Sequence, residues 1–201
     1  MWDFHAPFFK QILPTLPDHG IFVEVGAFVG TATSMFSKDI LAANKNITIF
    51  SVDTFTGSPE GDLHANPLLY ESIRKNLGVI LKQGESFFHL FCKIVQERGV
   101  PHLIKPMTMT SVQASYFFAD ESVDYIFIDA SHDYNSVLED IRHWWPKLKP
   151  GCFIAGHDYF GCPGVTKAVD EWFHPKNIVG YRAWDVWSHQ KTGRLLPHEL
   201  F

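Results

Sequence analysis

FVEVGAFVGT, residues 22–31, joins a short apolar run to two glycines that open a helical segment. Residues 21–25 are mostly β-branched or aromatic, which is typical of a parallel strand that is buried on both faces. Apolar side chains at helical spacing follow in residues 31–43, and a second buried strand is predicted at residues 48–52. A strand, a glycine turn, a helix and another strand in about 30 residues predict one right-handed βαβ unit.

The remainder of the chain continues this alternation of helices and apolar strands. Residues 56–62 are rich in turn-forming residues and are expected to form a surface loop. Helices are predicted at residues 8–13, 67–81, 84–98, 112–118, 134–145 and 164–173, and further strands at residues 103–107, 123–129, 152–155 and 178–189. These patterns predict an α/β fold with a mostly parallel sheet.

The length of the chain favours one domain. The 201 residues include 46% hydrophobic residues, which is enough for one well-packed core and short for two. We predict a single domain over residues 1–201, with residues 1–19 as an N-terminal cap and residues 57–100 as an insertion between the second and third strands. The insertion is longer than a minimal crossover, so its extra helix is expected to form either a lid or an interface.

The net charge, the apolar runs and the cysteines of the chain indicate its cellular compartment and the classes of partner it could bind. Lys and Arg number 17 against 22 Asp and Glu, a formal net charge of −5, so nucleic acid is not expected as a partner. No apolar run is long enough for a membrane helix and residues 1–5 do not begin a signal peptide, which predicts a soluble, cytoplasmic protein without a membrane partner. Cys92, Cys152 and Cys162 contain no CxxC pair and predict free thiols, with Cys92 and Cys152 buried.

Polar residues stand where four of the predicted strands end. They are Glu24, Asp53 and Asp129 at three of these ends, and His157 with Asp158 at the fourth. In a doubly wound sheet the ligand crevice lies beyond the carboxyl ends of the strands. We therefore expect these side chains to share one crevice.

Two glycines and an acid indicate what binds in that crevice. Gly26 and Gly30 would let the backbone approach a ligand closely, and the free N–H groups of the helix that follows favour a negative group. Asp53 ends the next strand, where a carboxylate can bind both hydroxyls of a ribose. The combination suggests an adenosine-containing cofactor, and the alternative is a tight strand-to-helix turn without a ligand.

The motif Glu24-x-Gly26-x-x-x-Gly30, with Asp53 at the end of the next strand, resembles the cofactor motif of class I S-adenosylmethionine-dependent methyltransferases. The segments DYIFIDASHDY at residues 124–134, LKPG at 148–151 and GHDY at 156–159 look like later motifs of a small-molecule and sugar O-methyltransferase subgroup, similar to methyltransferase family 24. The resemblance covers roughly residues 20–175. It implies a Rossmann-like, doubly wound, mostly parallel sheet of seven strands with helices on both faces.

The resemblance also implies where S-adenosylmethionine would bind. Glu24 and Gly26 would lie beside the methionine moiety with Gly30 beneath it, and Asp53 would bind the ribose hydroxyls. Thr54 and Phe55 would flank the adenosine. Ser111 would contact the adenine ring, or it would cap a helix that begins at Val112, or do both. The full predicted cofactor set is Glu24, Gly26, Ala27, Phe28, Gly30, Thr31, Asp53, Thr54, Phe55, Ser111 and Asp129.

Methyl transfer to a hydroxyl needs orientation and a means of removing the proton. The predicted catalytic residues are Asp129, His132, His157 and Asp158. For His157 and Asp158 the alternatives are acid–base chemistry or hydrogen bonding to the substrate, metal ligation, and structural capping. His132 follows His157 as the candidate base, because with Ser131 it could instead cap the helix near Tyr134.

A divalent metal, Mg²⁺ or Mn²⁺, is the second chemical alternative at this crevice. In metal-dependent relatives, carboxylates at the positions that resemble Asp129, His157 and Asp158 hold Mg²⁺. This sequence departs from that pattern at His157, and imidazole suits later transition metals whereas magnesium prefers oxygen ligands. The predicted metal ligands are nevertheless these three residues.

The predicted function is methyl transfer from S-adenosylmethionine to a hydroxyl of a small-molecule acceptor, a sugar or an aromatic compound. One rival is a non-catalytic assembly protein that keeps the nucleoside fold, and another is a nicotinamide-dependent oxidoreductase, which would want the third glycine of GxGxxG. Trp144 and Trp145 are expected to pack in the core. Trp184 and Trp187 could contact the acceptor or a second subunit, so a homo-oligomer stays open.

Overall fold

The computed structural model describes residues 6–57 and 86–193. The strands in these two ranges form a seven-stranded sheet of order β3-β2-β1-β4-β5-β7-β6. The first five pair in parallel, and β7 is antiparallel to both β5 and β6. Their bounds are β1 Ile21–Val25, β2 Thr48–Asp53, β3 Ile104–Thr108, β4 Val123–Ile128, β5 Leu148–Gly156, β6 Val179–Tyr181 and β7 Val186–Gln190.

Helices cover both faces of this sheet, as predicted. Phe22 of β1 packs in one core cluster with α1, α2 and α3, whereas its neighbours Val23 and Val25 pack in a second cluster with α4, α5 and α6. Successive side chains of a strand point to opposite faces, so a strand with apolar side chains on both faces must be covered on both. The helices are α1 Ala6–Ile12, α2 Thr31–Ala42, α3 Phe88–Glu97, α4 Ser111–Ser115, α5 Tyr134–Trp144 and α6 Pro163–Phe173.

The first helix belongs to the main core. The ring of Phe9 lies 5.2 Å from that of Phe22, 5.1 Å from that of Phe36 and 4.7 Å from that of Phe127, measured between centroids. Lys45, after α2, donates a hydrogen bond from Nζ to the carbonyl of Leu13 at 2.9 Å. The start of the described chain is thus fixed to β1, α2 and β4.

Several element boundaries differ from the predictions. α3 begins at Phe88 rather than at residue 84, and α4 ends at Ser115 rather than at residue 118. The predicted helix at 67–81 and most of the loop at 56–62 lie outside the described residues. Within the described ranges, no helix combines the length and apolar character needed to cross a bilayer. The division into one domain with a cap and an insertion stays a prediction.

The cysteine and tryptophan predictions have mixed outcomes. Cys92 is exposed on α3 and Cys152 is partly exposed, so the prediction that both are buried was wrong. Cys92 lies between two buried pairs on α3 and faces away from the sheet, because a helix turns by about 100° at each residue. Trp144 and Trp145 are buried as predicted, and Trp187 is a core residue rather than a surface for an acceptor.

The last two strands are joined by a tight connection. β6 and β7 form an antiparallel pair, and the turn between them contains a short 3₁₀ helix, Arg182–Trp184, and Asp185 with a φ of 52°. β7 lies between β5 and β6 in the sheet. Trp187 of β7 lies against Gly156 at the end of β5, where an added Cβ would approach its Nε1 to 2.5 Å.

Candidate active site

The ends of β1, β2, β4 and β5 open into a cavity of about 620 Å³. Each of the four polar strand ends contributes to its lining, so the structure brings these side chains together as expected from a parallel sheet. The predicted catalytic residues Asp129, His132, His157 and Asp158 all line it. So do most of the predicted cofactor residues, namely Glu24, Gly26, Ala27, Phe28, Thr31, Asp53, Thr54, Ser111 and Asp129.

Gly30 and Phe55 are not among the residues that line the cavity, and their contact with the cofactor stays a prediction. Gly30 has a φ of 73° at the start of α2, and an added Cβ would lie 2.6 Å from the ring of Phe91. A side chain at this position would therefore be strained by the backbone conformation and would also clash with Phe91 of α3. Phe55 is fully buried, and the centroid of its ring lies 5.0 Å from that of Phe91. The core removes this apolar side chain from water more completely than an open cavity would.

The turn after β1 is shaped by close backbone contacts. Gly26 has a φ of 90°, and a Cβ on it would lie 1.9 Å from the carbonyl oxygen of Asp129. Its N–H donates to the carbonyl of Val52 at 2.8 Å. Glu24, buried just before the turn, accepts a hydrogen bond from the Thr33 hydroxyl on α2. The glycine thus lets three strand ends approach each other, with the Glu24 carboxylate held between β1 and α2.

Asp53 is held rigidly at the end of β2. Its Oδ2 accepts the N–H of Phe28 at 2.8 Å and its Oδ1 accepts the N–H of Phe55 at 2.6 Å. Burial raises the pKa of Asp53, although these two hydrogen bonds act in the opposite direction. A carboxylate has about four lone-pair sites, so each oxygen can accept another hydrogen bond. The group can therefore receive two vicinal hydroxyls.

Asp158 lies between two histidines at the opposite side of the cavity. Its Oδ2 is 3.0 Å from Nε2 of His132 and 2.9 Å from Nδ1 of His157. The same Nδ1 of His157 is 3.7 Å from Oδ1 of Asp129. The three side chains Asp129, His157 and Asp158 can each offer one ligand atom, all within 4.8 Å of one another. The predicted metal ligands are thus brought together, and two carboxylates with one imidazole suit Mn²⁺ better than Mg²⁺. The metal itself stays a prediction.

The charges in this cluster follow from the same contacts. Burial opposes the charged form of His157, but the hydrogen bond to Asp158 and the charges of Asp129 and Asp158 outweigh it and raise the pKa of His157 to about 9. Burial also opposes the charged form of Asp158, yet the hydrogen bonds from His132 and His157 hold its pKa well below the usual range. An imidazolium at His157 is a hydrogen-bond donor and not a base at neutral pH.

His132 and Ser111 do not have the capping roles that the sequence left open. Asp133 caps α5, accepting the N–H groups of Asn135 at 3.0 Å and Ser136 at 3.1 Å. Thr110 caps α4 in a capping box with Gln113. α5 begins at Tyr134 as predicted, and Asp133, a better acceptor than His132, stands at its cap position. α4 begins at Ser111, one residue before the predicted start, so Thr110 is its cap.

Asp140 is a cavity residue that the sequence analysis missed. It lies on the buried face of α5, together with Val137 and Ile141. An acidic residue at an apolar position of the helix was the sequence feature that could have identified it. Burial raises the pKa of Asp140 to about 7, against a hydrogen bond from Ser111. Ser111 also accepts the indole N–H of Trp144 at 2.9 Å. Ser111 and Asp140 thus form a buried polar pair at one end of the cavity.

The loop from His157 to Cys162 is anchored to the last turn of the sheet. The N–H of Phe160 donates to Oδ1 of Asp185 at 2.6 Å, between β6 and β7. The N–H of Cys162 donates to the carbonyl of Asp158 at 3.0 Å, and α6 begins directly after Cys162. Contacts with the final hairpin therefore fix the position of Asp158.

Comparison with known proteins gives a family for this architecture. Residues 23–159 match a family described as a methyltransferase domain. The uncharacterized protein y4gI of Sinorhizobium fredii (strain NBRC 101917 / NGR234) is 27% identical over 157 residues, which are 78% of this chain and 15% of that protein. The chain thus spans a small part of the length of this relative.

Solved methyltransferase structures share the fold. The O-methyltransferase NovP matches with a TM-score of 0.67 and 17% identity, over 94% of this chain and 80% of that chain. Geranyl diphosphate methyltransferase in complex with SAM matches with a TM-score of 0.54 and 9% identity, over 93% of this chain and 84% of that chain. At these identities the likeness concerns the fold.

Proposed function

This chain belongs to the methyltransferase domain family, within the class I S-adenosylmethionine-dependent methyltransferases, and we propose that it methylates a hydroxyl oxygen of a small molecule, a sugar or an aromatic compound. One observation carries the proposal. A single cavity has a fixed carboxylate for a ribose, Asp53, on one side and the cluster of Asp158 with its two histidines on the other.

The cofactor side of the cavity fits S-adenosylmethionine. Both oxygens of Asp53 are oriented by backbone N–H groups and retain acceptor capacity for the ribose hydroxyls. Glu24, held by Thr33, is near enough to the turn at Gly26 to bind the ammonium group of the methionine moiety. Ser111 and Asp140 supply polar atoms for the adenine ring. When bound, S-adenosylmethionine supplies the methyl group as the electrophilic carbon of a sulfonium.

The histidine side can orient and deprotonate an acceptor hydroxyl. Asp158 accepts from Nε2 of His132, which places the lone pair of the neutral imidazole on Nδ1. This pairing of an imidazole with an orienting carboxylate is the arrangement of a general base. His157 is enclosed by Asp129 and Asp158, and we assign it to positioning the acceptor oxygen by donating a hydrogen bond. His132 is the proposed base.

Cofactor binding is the first test. S-adenosylhomocysteine should raise the melting temperature of the protein, and NAD(H) should leave it unchanged. Asp53→Ala should abolish the shift because it removes both acceptors for the ribose, whereas the control Asp120→Ala, at an exposed acid, should keep it. A shift of the same size in Asp53→Ala, or a shift with NAD(H) instead, would overturn the cofactor assignment.

The base is tested separately from the cofactor. With an acceptor found in a panel of sugars and phenols, His132→Gln should lower kcat by about 10²–10⁴-fold, since general-base catalysis contributes that much. The thermal shift with S-adenosylhomocysteine should be unchanged. His102→Gln, at an exposed histidine, is the matched control and should retain kcat. Full activity of the His132 variant would show that another group removes the proton.

A further inference from the structure

Cys162 forms, with two residues of the cavity, a second group of metal-ligating side chains. His132, Asp158 and Cys162 can each offer one ligand atom, and these atoms all lie within 4.8 Å of one another. We propose that this group binds Zn²⁺ or a similar borderline divalent ion, at a position distinct from the site predicted at Asp129, His157 and Asp158. The two groups share Asp158 alone.

The three ligands are held together by one side-chain contact and by contacts of the backbone. Nε2 of His132 is 3.0 Å from Oδ2 of Asp158, and the carbonyl of Asp158 accepts the N–H of Cys162 at 3.0 Å. α6 begins so close to His132 that a Cβ on Gly164 would lie 2.3 Å from the His132 carbonyl oxygen. The two loops that carry the ligands are therefore in direct contact, and an ion would not need to draw them together over a large distance.

The donor atoms select the class of metal. Sulfur, nitrogen and oxygen ligands at one position are typical of Zn²⁺, whereas Mg²⁺ takes oxygen ligands. Cys162 stands at the N-cap position of the eleven-residue helix α6, and the thiolate is the form in which cysteine binds a metal. The second group thus offers the sulfur ligand that the group around His157 lacks.

The site has the composition of an open zinc site. Zinc sites with three protein ligands keep a further position for water or another small molecule. His132 and Asp158 both line the cavity, so this position is on the cavity side. An ion bound to His132 occupies the single lone pair of the neutral imidazole. Metal binding and proton acceptance by His132 therefore exclude each other.

Cobalt absorption can test the ligands without any methyl transfer. The full chain with Cys92→Ser and Cys152→Ser retains Cys162 as its single thiol, since the sequence has three cysteines. After treatment with a chelator, titration with Co²⁺ should produce the near-ultraviolet thiolate-to-cobalt charge-transfer band, with saturation at one ion per chain. Stoichiometric Zn²⁺ should displace the cobalt and remove the band.

Further variants separate this group from the other one. Cys162→Ser in the same background should remove the band. Asp158→Asn should raise the Kd for Co²⁺ at least about tenfold. Asparagine is chosen because it tolerates the φ of 60° at Asp158. His132→Gln should weaken binding likewise. His157→Gln should leave the charge-transfer band in place, because it removes no ligand of this group.

Each other result overturns the proposal. Absence of the band in the single-thiol protein shows that Cys162 is not a ligand, and an unchanged Kd in both the His132 and Asp158 variants shows that the thiol binds cobalt alone. Loss of the band in His157→Gln shows a different ligand set. Thermal unfolding of every variant establishes that it is folded. Because binding of S-adenosylhomocysteine is measured independently, failure here leaves the proposed function standing, and the converse also holds.

Discussion

Asp140 is a cavity residue whose charge depends on folding. Its pKa is raised by burial from 3.8 to about 7, so between these values the folded chain holds a proton that the unfolded chain has released. A group of this kind makes the free energy of unfolding fall as the pH rises through that window. The effect reaches its full size above the folded pKa of about 7.

Asp140→Asn removes this titration while it keeps the size of the side chain. Between pH 5 and pH 8 the free energy of unfolding of the variant should fall by about 2–3 kcal/mol less than that of the wild type. Urea unfolding at several pH values measures this difference, in which the titrations common to both proteins cancel. Parallel pH profiles for the two proteins would contradict a raised pKa at Asp140.

Gly26 and Gly151 separate steric contact from backbone strain. Both have positive φ, 90° and 83°, but a Cβ on Gly26 meets the Asp129 carbonyl at 1.9 Å, whereas a Cβ on Gly151 meets nothing within 4 Å. Gly151→Ala should cost about 1–2 kcal/mol from strain alone. Gly26→Ala should cost about 2–5 kcal/mol in urea unfolding, because overpacking adds to the strain. Equal costs would show that the β1 turn can relax.

The sequence was enough to predict that the polar residues at strand ends lie together, because the carboxyl ends of parallel strands lie at one edge of the sheet. Asp53 and Asp129 line the cavity for this reason. Phe55 and Gly30 pack against Phe91 of α3, which the sequence did not predict, because adjacency to a motif does not tell on which side of the turn a residue makes its contacts. Asp140 was missed as a cavity residue because its hydrogen-bond partner, Ser111, comes from a distant part of the chain.

At the scale of elements, hydrophobic periodicity predicted strands and helices well and their ends less well. β1 was predicted at its observed bounds because glycine follows the apolar run immediately. α4 was misplaced because its cap, Thr110, competes with Ser111, and both are residue types that cap helices. The order of β6 and β7 in the sheet depends on long-range pairing, which local patterns do not contain.

The packing of α1 leads to a prediction about this element. Phe9 is fully buried against three rings of β1, α2 and β4. Phe9→Ala should lower the free energy of unfolding by about 3–5 kcal/mol because it leaves a large cavity. Lys10→Ala, on the exposed side of the same helix, is the control and should change stability by less than about 0.5 kcal/mol. If the two variants had similar effects in urea unfolding, α1 would not belong to the cooperative core.

The charge of the whole molecule predicts what it does not bind. With 17 basic and 22 acidic residues and a net charge of −5, the chain offers little of the phosphate neutralisation on which nucleic-acid binding depends. Fluorescence anisotropy with labelled RNA and DNA oligonucleotides at about 0.15 M salt should give Kd values weaker than about 10⁻⁴ M. Micromolar binding that weakens steeply with salt would indicate a nucleic-acid acceptor instead of a small molecule.

The position of β7 between β5 and β6 has a consequence for the newly made chain. The cofactor side, with Glu24 and Asp53, is complete in sequence long before β7 leaves the ribosome. β6 is synthesised before β7, but β6 pairs with the sheet only through β7. Asp185, which anchors the loop of Asp158, comes directly before β7. The residues that hold the loop of Asp158 in place are therefore synthesised after Glu24 and Asp53. The geometry around Asp158 depends on a turn that is made late, whereas the geometry around Asp53 rests on contacts with Phe28 and Phe55 that are made early.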